Sequence, residues 1–213
     1  MNRPELASLS LADPPEGWRS LGFAVPDASL RMGGVALELG APGEGIVAWS
    51  VRGVASGTEI DGLPWRGPCG DPAGADDAHP NGAVGLDHVV VVTPDFDRTA
   101  TALDRAGLPL RRVRDAGGFR QGFRRLGPAI LELVEARQAS DGPARFWGLV
   151  VIVEDLEALA ERLGDRLGEV KAAVQPGRRI ATLRGAAGLT TSVAFMDPEP
   201  GRFSPNMEEN RPR

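Results

Sequence analysis

Hydrophobic residues in the second half of the chain follow two regular patterns that predict alternating strands and helices. Residues 86–92 are apolar enough for a buried strand. A helix is predicted next, with Thr93 as its N-cap, Pro94 at its first position and Gly107 at its end. Three further strands are predicted, at residues 109–114, 122–126 and 129–134.

The same order of elements recurs 60 residues later. Residues 149–153 predict a strand, Asp155 follows Asp95 by 60 residues, and residues 156–163 predict a helix that ends at Gly164. Three more strands are predicted, at residues 169–174, 179–183 and 192–196. Such repetition predicts an α+β fold of two tandem βαβββ modules, at residues 85–135 and 147–197, within a domain spanning residues 85–200.

The region before this domain, residues 1–84, predicts a β-rich extension. Prolines at positions 4, 14 and 15 predict an unstructured lead over residues 1–16. Strands are expected at residues 21–25, 35–39 and 46–51, and the Gly- and Pro-rich stretch 53–85 predicts a linker or long loop. Residues 201–213 are expected to form a C-terminal tail.

A short internal match suggests that this extension contains a degenerate third module. Residues 33–39 (GGVALEL) resemble residues 127–133 (GPAILEL). Residues 17–40 would then be the last strands of a module whose first strand and helix are missing, with residues 46–51 in place of that strand. A chance match is the alternative.

Composition excludes several classes of function. A net charge of −5 gives no electrostatic footprint for nucleic acid. One cysteine excludes a disulfide framework, and two histidines limit the metal and acid–base chemistry available. Neither a signal peptide nor a membrane-spanning apolar run is present, so we expect a cytoplasmic, bacterial protein without membrane partners.

Two tandem βαβββ modules, one opening with LDHVVV and closing with ILEL, resemble the vicinal oxygen chelate superfamily. This superfamily includes glyoxalase I and other glyoxalase-like proteins, extradiol dioxygenases, methylmalonyl-CoA epimerase, and the bleomycin- and fosfomycin-resistance proteins. The resemblance covers residues 85–197. It implies a half-open, mixed-sheet barrel around a cavity in which a divalent metal (Zn, Ni, Fe or Mn) chelates substrate oxygens.

The resemblance also implies which residues hold the metal. His88 lies on the first strand and Glu132 on the fourth strand of the first module, where the family places ligands and catalytic groups. Alternation puts His88 on one strand face with Leu86 and places Glu132 on an apolar face of its own strand. The second module has no ligand at Gly148, its aligned position. Glu38 is the candidate third ligand, and donation across a homodimer is the alternative.

Other side chains are candidates for binding a small-molecule substrate. Arg178 at a predicted hairpin tip, and Arg120 with Gln121 at the start of a strand, would bind a carboxylate or phosphate. Trp147 and Phe195 are expected to form aromatic walls of the cavity. The alternative for the polar residues is a solvated loop.

Two functions from different classes fit these observations. The first is a metal-dependent enzyme with isomerase, lyase or dioxygenase chemistry, in which the ion polarises a carbonyl and Glu132 accepts a proton. The second is a metal-free protein that binds or sequesters a small molecule or drug, favoured by the missing ligands of the second module. A tandem ferredoxin-like regulatory protein without an enclosed cavity is a third interpretation.

Overall fold

The structure is a computed structural model that describes residues 3–54, 60–66, 75–137 and 141–200 of the 213-residue chain. The predicted tail at 201–213 and parts of the predicted linker lie outside the described residues. The described strands and helices are β1 (Glu5–Leu11), α1 (Pro15–Ser20), β2 (Ser29–Met32), β3 (Val35–Glu38), β4 (Ile46–Arg52), β5 (Ala83–Thr93), α2 (Phe96–Arg105), β6 (Arg112–Asp115), β7 (Arg120–Leu126), β8 (Ala129–Glu135), β9 (Arg145–Val153), α3 (Leu156–Leu163), β10 (Lys171–Ala172), β11 (Arg179–Thr182) and β12 (Ser192–Met196).

The predicted tandem modules form one eight-stranded sheet in the order β10-β11-β12-β9-β5-β8-β7-β6. In each module the first strand pairs with the fourth in parallel, β5 with β8 and β9 with β12. The two first strands, β5 and β9, pair antiparallel at the centre of the sheet. This topology confirms the predicted α+β fold of two βαβββ units.

The eight-stranded sheet curves around a cavity on one of its faces. Residues near both ends of the sheet line the same cavity, among them Arg114 on β6 and Val174 just after β10. Because the ends of a flat sheet of this width cannot meet, the sheet folds into a half-open trough. Its other face packs into the main hydrophobic core.

Each module starts its helix with the same cap. The Asp95 carboxylate accepts a hydrogen bond from the Arg98 amide, and Asp155 accepts one from the Ala158 amide. These aspartates satisfy amides that the first helical turn would otherwise leave unpaired. The prediction that Thr93 is the N-cap is therefore wrong, since Thr93 lies two residues before the cap.

The N-terminal region forms a separate four-stranded sheet in the order β2-β3-β1-β4. Strand β1 pairs parallel with β3 and antiparallel with β4, as β5 pairs with β8 and β9. The first strand and helix of this third unit are thus present as β1 and α1. Predicting an unstructured lead at residues 1–16 was wrong, because the prolines flank β1 instead of interrupting it. Strand β4 does not replace β1 but pairs beside it.

Aromatic and polar contacts join the N-terminal region to the second module. Phe23 stacks on Phe195 with ring centroids 6.3 Å apart. The buried Asp13 carboxylate accepts hydrogen bonds from the hydroxyl of Thr190 (2.7 Å) and the amide of Thr191 (3.2 Å). These contacts join residues about 180 positions apart into one core. Within the described residues, no helix is long and apolar enough to cross a membrane.

Candidate active site

A β-bulge on strand β5 turns two successive side chains into the cavity. Leu86 pairs with Val151 and His88 with Val150, so two residues of β5 advance against one of β9. Asp87 is the extra residue, and it lines the cavity together with His88, whereas Leu86 packs into the core. Such bulges re-aim side chains. The prediction that Leu86 shares the face of His88 is therefore wrong.

His88 meets Glu132 across the β5–β8 pair. His88 is in register with Ile130, and Val90 with Glu132, which places both polar side chains on the cavity face. The His88 Nε2 atom lies 3.2 Å from Oε2 of Glu132. Both side chains are largely buried, with 12% and 13% of their surface exposed. The two residues predicted to form the site are thus in direct contact.

Asp87 fixes the other edge of the imidazole. Its Oδ2 lies 2.8 Å from Nδ1 of His88, and its Oδ1 lies 2.6 Å from Nη1 of Arg178. Burial raises the pKa of Asp87, but the hydrogen bonds and charges of His88 and Arg178 outweigh it and hold this pKa below its usual value. Arg178 also donates from Nε to the carbonyl of Asp197, at 2.7 Å.

A glutamine orients Glu132 by donating a hydrogen bond to its other carboxylate oxygen. The Gln121 Nε2 donates to Oε1 of Glu132 at 2.8 Å, and Arg114 Nε donates to Oε1 of Gln121 at 2.8 Å. Because Arg114 can only donate, it settles which end of the Gln121 amide faces Glu132. Burial raises the pKa of Glu132, an effect that the charges of His88 and Arg114 partly oppose.

The hydrogen-bond partners determine where the protons lie. Asp87 is ionised and accepts a bond from Arg178, so the Nδ1 of His88 carries a proton and donates it to Asp87. The Nε2 atom then faces Oε2 of Glu132, an ion-pair contact when the imidazole is protonated. Arg178, Asp87, His88 and Glu132 therefore form a chain of polar contacts that ends at the cavity wall.

The cavity itself has about 440 Å³, a size suited to a small organic molecule. Its polar wall comes from the first module and its apolar wall from the second. The apolar wall is built around Met196 and Ile180, which belong to a small cluster with Val150 and Ala194. Lys171 and Gln175 lie at its rim.

The donor set does not fit the predicted catalytic metal. Asp87 and Glu132 contact opposite nitrogens of His88, so the three side chains do not converge on one point. In the second module, Gly148 and Ala194 supply no nitrogen or oxygen ligand at the positions that match His88 and Glu132. No group of three His, Cys, Asp or Glu side chains suited to a metal occurs among the described residues. A catalytic site usually needs about three protein ligands.

Glu38, the predicted third ligand, lies in the N-terminal sheet. It pairs in register with Ser10 on β1, as Glu132 pairs with Val90 on β5, so the two glutamates occupy matching positions of different sheets. Its carboxylate accepts a hydrogen bond from Ser10 Oγ at 2.9 Å and does not line the cavity. The similarity of the two Leu-Glu-Leu stretches reflects the repeat, and the structure corrects the predicted shared site.

The predicted substrate-binding residues fall into two groups. Gln121 lines the cavity, and Arg178 lies behind it in the ion pair with Asp87. Arg120 instead bridges Glu135 and Asp97 outside the cavity.

The two predicted aromatic walls also lie elsewhere. Phe195 is fully buried on the core face of β12. Trp147 is the extra residue of a second bulge, 44% exposed, and lines none of the described cavities. Neither placement fits the predicted role, because Phe195 packs into the core and Trp147 does not line the cavity that holds His88 and Glu132.

Asp87 and Arg114 are among the site residues that the sequence analysis missed. Strict alternation along β5 would direct Asp87 toward the core, and only the bulge brings it to the cavity. A charged residue beside His88 within an otherwise apolar strand was the available signal, because burying such a group requires a partner. Arg114 lies on an edge strand, where arginine is ordinarily solvated.

No protein-family model and no curated protein sequence matches the chain. Among solved structures, the chain is similar to methylmalonyl-CoA epimerase from Mycobacterium tuberculosis, with 22% identity over 56% of this chain and 91% of that one and a TM-score of 0.47. It is also similar to a variant of Streptomyces coelicolor methylmalonyl-CoA epimerase in complex with 2-nitronate-propionyl-CoA, with 16% identity, coverage of 55% and 96%, and a TM-score of 0.47.

A hypothetical protein from Bacillus halodurans is a third similar structure, with 15% identity, coverage of 56% and 97%, and a TM-score of 0.45. The topology and the site define an α+β protein of paired βαβββ modules that enclose a cavity of small-molecule size, with a buried acid–base pair in its wall. The chemistry follows from that pair.

Proposed function

We propose that the protein binds a small carbonyl compound in the cavity and transfers a proton at the carbon next to its carbonyl group. This is isomerase-type chemistry. The observation that carries the proposal is the contact of 3.2 Å between His88 Nε2 and Glu132 Oε2 at the wall of a cavity of about 440 Å³. A buried histidine–carboxylate pair with fixed orientation is suited to general acid–base catalysis.

In such a step, different residues accept the proton and stabilise the enolate oxygen. Glu132, as a carboxylate, accepts the proton as the substrate C–H bond breaks. The electron pair of that bond moves onto the carbonyl oxygen and gives an enolate. The charge of Lys171 at the rim stabilises this oxygen. Return of the proton to either face, or to the neighbouring carbon, completes the isomerisation.

Asp87 and Gln121 act as positioning residues. Asp87 holds His88 in the tautomer that leaves Nε2 toward Glu132, and Gln121 holds the carboxylate in place. The chain offers no three-ligand metal site among the described residues, so no step is assigned to a metal.

Proton exchange provides a direct test. A panel of 2-oxo acids, hydroxyketones and acyl thioesters is incubated with the protein in D₂O, and loss of the α-proton signal is followed by ¹H NMR. We expect exchange with at least one class and a loss of at least 100-fold in Glu132→Gln. The matched control is Glu135→Gln on the same strand, whose carboxylate pairs with Arg120 outside the cavity and whose loss should leave the rate within about twofold.

Two outcomes would contradict the proposal. Exchange that is equal in wild type and Glu132→Gln would remove Glu132 from the reaction. Exchange that disappears with EDTA and returns with Ni²⁺, Zn²⁺, Mn²⁺ or Fe²⁺ would show that a metal is required and that the residue-only account is wrong.

Binding without reaction is the second candidate, and the apolar wall favours it. Ala194 occupies the position that matches Glu132, and it forms an apolar cluster with Val150 and Met196, which suits a hydrophobic ligand. Thermal-shift screening separates the two functions. Small aromatic ligands that stabilise wild type and Glu132→Gln equally, with no proton exchange in any panel member, would support a binding protein.

A further inference from the structure

Arginine side chains line a groove that continues from the cavity around the β6–β7 hairpin. The cavity shares Arg114, Phe123 and Ile130 with a second cavity of about 420 Å³. That cavity shares Arg111 and Arg125 with a third of about 410 Å³. We call this continuous surface the arginine track, and its cations are Arg3, Arg111, Arg112, Arg114, Arg124 and Arg125.

The arginines of the track have no ion-pair partner among the described residues. None of its six arginines forms an ion pair with a carboxylate among the described residues, whereas the arginines at positions 98, 120, 178 and 179 all do. Glu5 is the one carboxylate lining the track within the described part of the chain, and it pairs with Arg52. A chain with a net charge of −5 thus concentrates uncompensated positive charge beside its cavity.

The surroundings of Arg124 show that its buried charge is unfavourable when no anion is bound. It is 9% exposed, its Nε has no hydrogen-bond partner among the described residues, and its Nη1 donates only a long bond of 3.4 Å to the Pro109 carbonyl. Burial, and then the charge of Arg111, lowers its pKa. A buried cation without a counter-ion is unfavourable, and an anion in the third cavity would supply one.

The track is also amphipathic where it meets the cavity. Phe123, Ile130 and Val174 line the junction together with Arg112 and Arg114. Strand alternation produces this pattern, because Arg112 is in register with Phe123, and Arg125 with Ile130. A ligand that fits both parts has an apolar or organic end toward the cavity and several negative charges toward the edge of the sheet.

We propose that the arginine track binds the phosphate groups of an organic diphosphate whose organic end reaches the cavity. Arginine is suited to this role because its guanidinium donates bidentate hydrogen bonds to phosphate oxygens. The inference rests on the proposed function only for its statement that the organic end lies near His88 and Glu132. The anion site is inferred from the arginines of the track alone.

The first experiment titrates inorganic pyrophosphate into the full chain by calorimetry at low salt. We expect binding that weakens at least tenfold in Arg111→Ala/Arg125→Ala, two exposed side chains whose removal leaves the fold intact. Arg105→Ala on α2, an exposed arginine with no ion pair among the described residues, is the matched control and should bind within twofold of wild type. No pyrophosphate binding, or equal loss in both variants, overturns the proposal.

The second experiment tests the organic end with hexyl diphosphate. We expect it to bind at least threefold more tightly than pyrophosphate, and Ala173→Trp, which fills the cavity, to remove that gain without affecting pyrophosphate. Equal affinity of the two probes in wild type would show a site for free polyphosphate and would overturn the proposal. Tighter binding of a ten-nucleotide RNA, lost in Arg111→Ala/Arg125→Ala, would also overturn it.

The two assays together separate this inference from the proposed function. If the proton-exchange assay fails while pyrophosphate binding is lost in Arg111→Ala/Arg125→Ala, the anion site is correct and the catalytic proposal is wrong. If exchange succeeds without pyrophosphate binding, the reverse holds.

Discussion

Replacement of Asp87 by asparagine should remove a large part of the stability of this protein. The Asp87 and Arg178 side chains are 8% and 4% exposed, and their charged atoms lie 2.6 Å apart. At that distance and an effective dielectric constant of about 20, their Coulomb attraction is about 6 kcal/mol. Desolvation offsets much of this gain, but removal of one partner leaves the other charge buried and typically costs about 3–5 kcal/mol.

The asparagine cannot replace both of the bonds that Asp87 makes. Its single carbonyl oxygen can accept from Arg178 or from the Nδ1 of His88, whereas the carboxylate accepts from both. We therefore expect Asp87→Asn to lower the free energy of unfolding by about 3–5 kcal/mol. Asp87→Asn/Arg178→Met, which removes both charges, should recover about 2 kcal/mol or more of that loss.

Urea unfolding followed by fluorescence of the four tryptophans measures these differences. The folded-state pKa of Asp87 is lowered, so its contribution is present above its unfolded pKa of about 3.9 and lost as pH falls through the folded value. The difference between wild type and Asp87→Asn should therefore shrink below about pH 4. A loss under about 1 kcal/mol at pH 7, or a double variant no more stable than Asp87→Asn, would refute the reasoning.

Three further predictions concern stability. Burial raises the folded-state pKa of Glu132, so wild type should lose stability relative to Glu132→Gln as pH rises above about 4.3, and parallel pH profiles would contradict this. An added Cβ at Gly148 would clash with the Ser192 carbonyl oxygen, so Gly148→Ala should cost about 3 kcal/mol in urea unfolding, and a cost below about 1 kcal/mol would be inconsistent with this contact. Asp13→Ala removes the acceptor of the Thr190 hydroxyl bond and should cost about 2–3 kcal/mol, whereas Asp13→Asn should cost less.

The tautomer of His88 can be measured because the chain has only two histidines. His79 accepts a bond at Nδ1 from the Ala24 amide and therefore carries its proton on Nε2, which contacts the Arg31 carbonyl. His88 carries its proton on Nδ1. The ¹⁵N shifts of the two rings should thus show opposite tautomers, with His79 as an internal reference.

Much of the fold was predictable because the two modules repeat. Each uses an apolar first strand, an aspartate before the helix and a glycine after it, and the register of β5 with β8 follows from those strands. The superfamily resemblance implied His88 and Glu132 together, and two-residue alternation, which holds from His88 onward on β5 and along β8, agrees with it. Local pattern and tertiary structure agree in these segments.

The rest of the fold and of the site depends on features that two-residue alternation along a strand cannot predict. The bulge at Asp87 changes which face a side chain occupies, and the pairing of β5 with β9 determines it. Strand β1 was missed because Ser8 and Ser10, which are buried in the sheet, break its apolar character. Glu38 was assigned to the wrong sheet because sequence similarity identifies a matching position and not a shared location.

The contact between Asp13 and Thr190 has a consequence during protein synthesis. It joins positions 177 residues apart, so it cannot form until the ribosome has added all of the intervening chain. At about 5–20 residues per second, this takes roughly 10–35 s. Throughout that interval Phe23 lacks its stacking partner Phe195. Nascent chains are therefore expected to need chaperone protection until the last strand emerges.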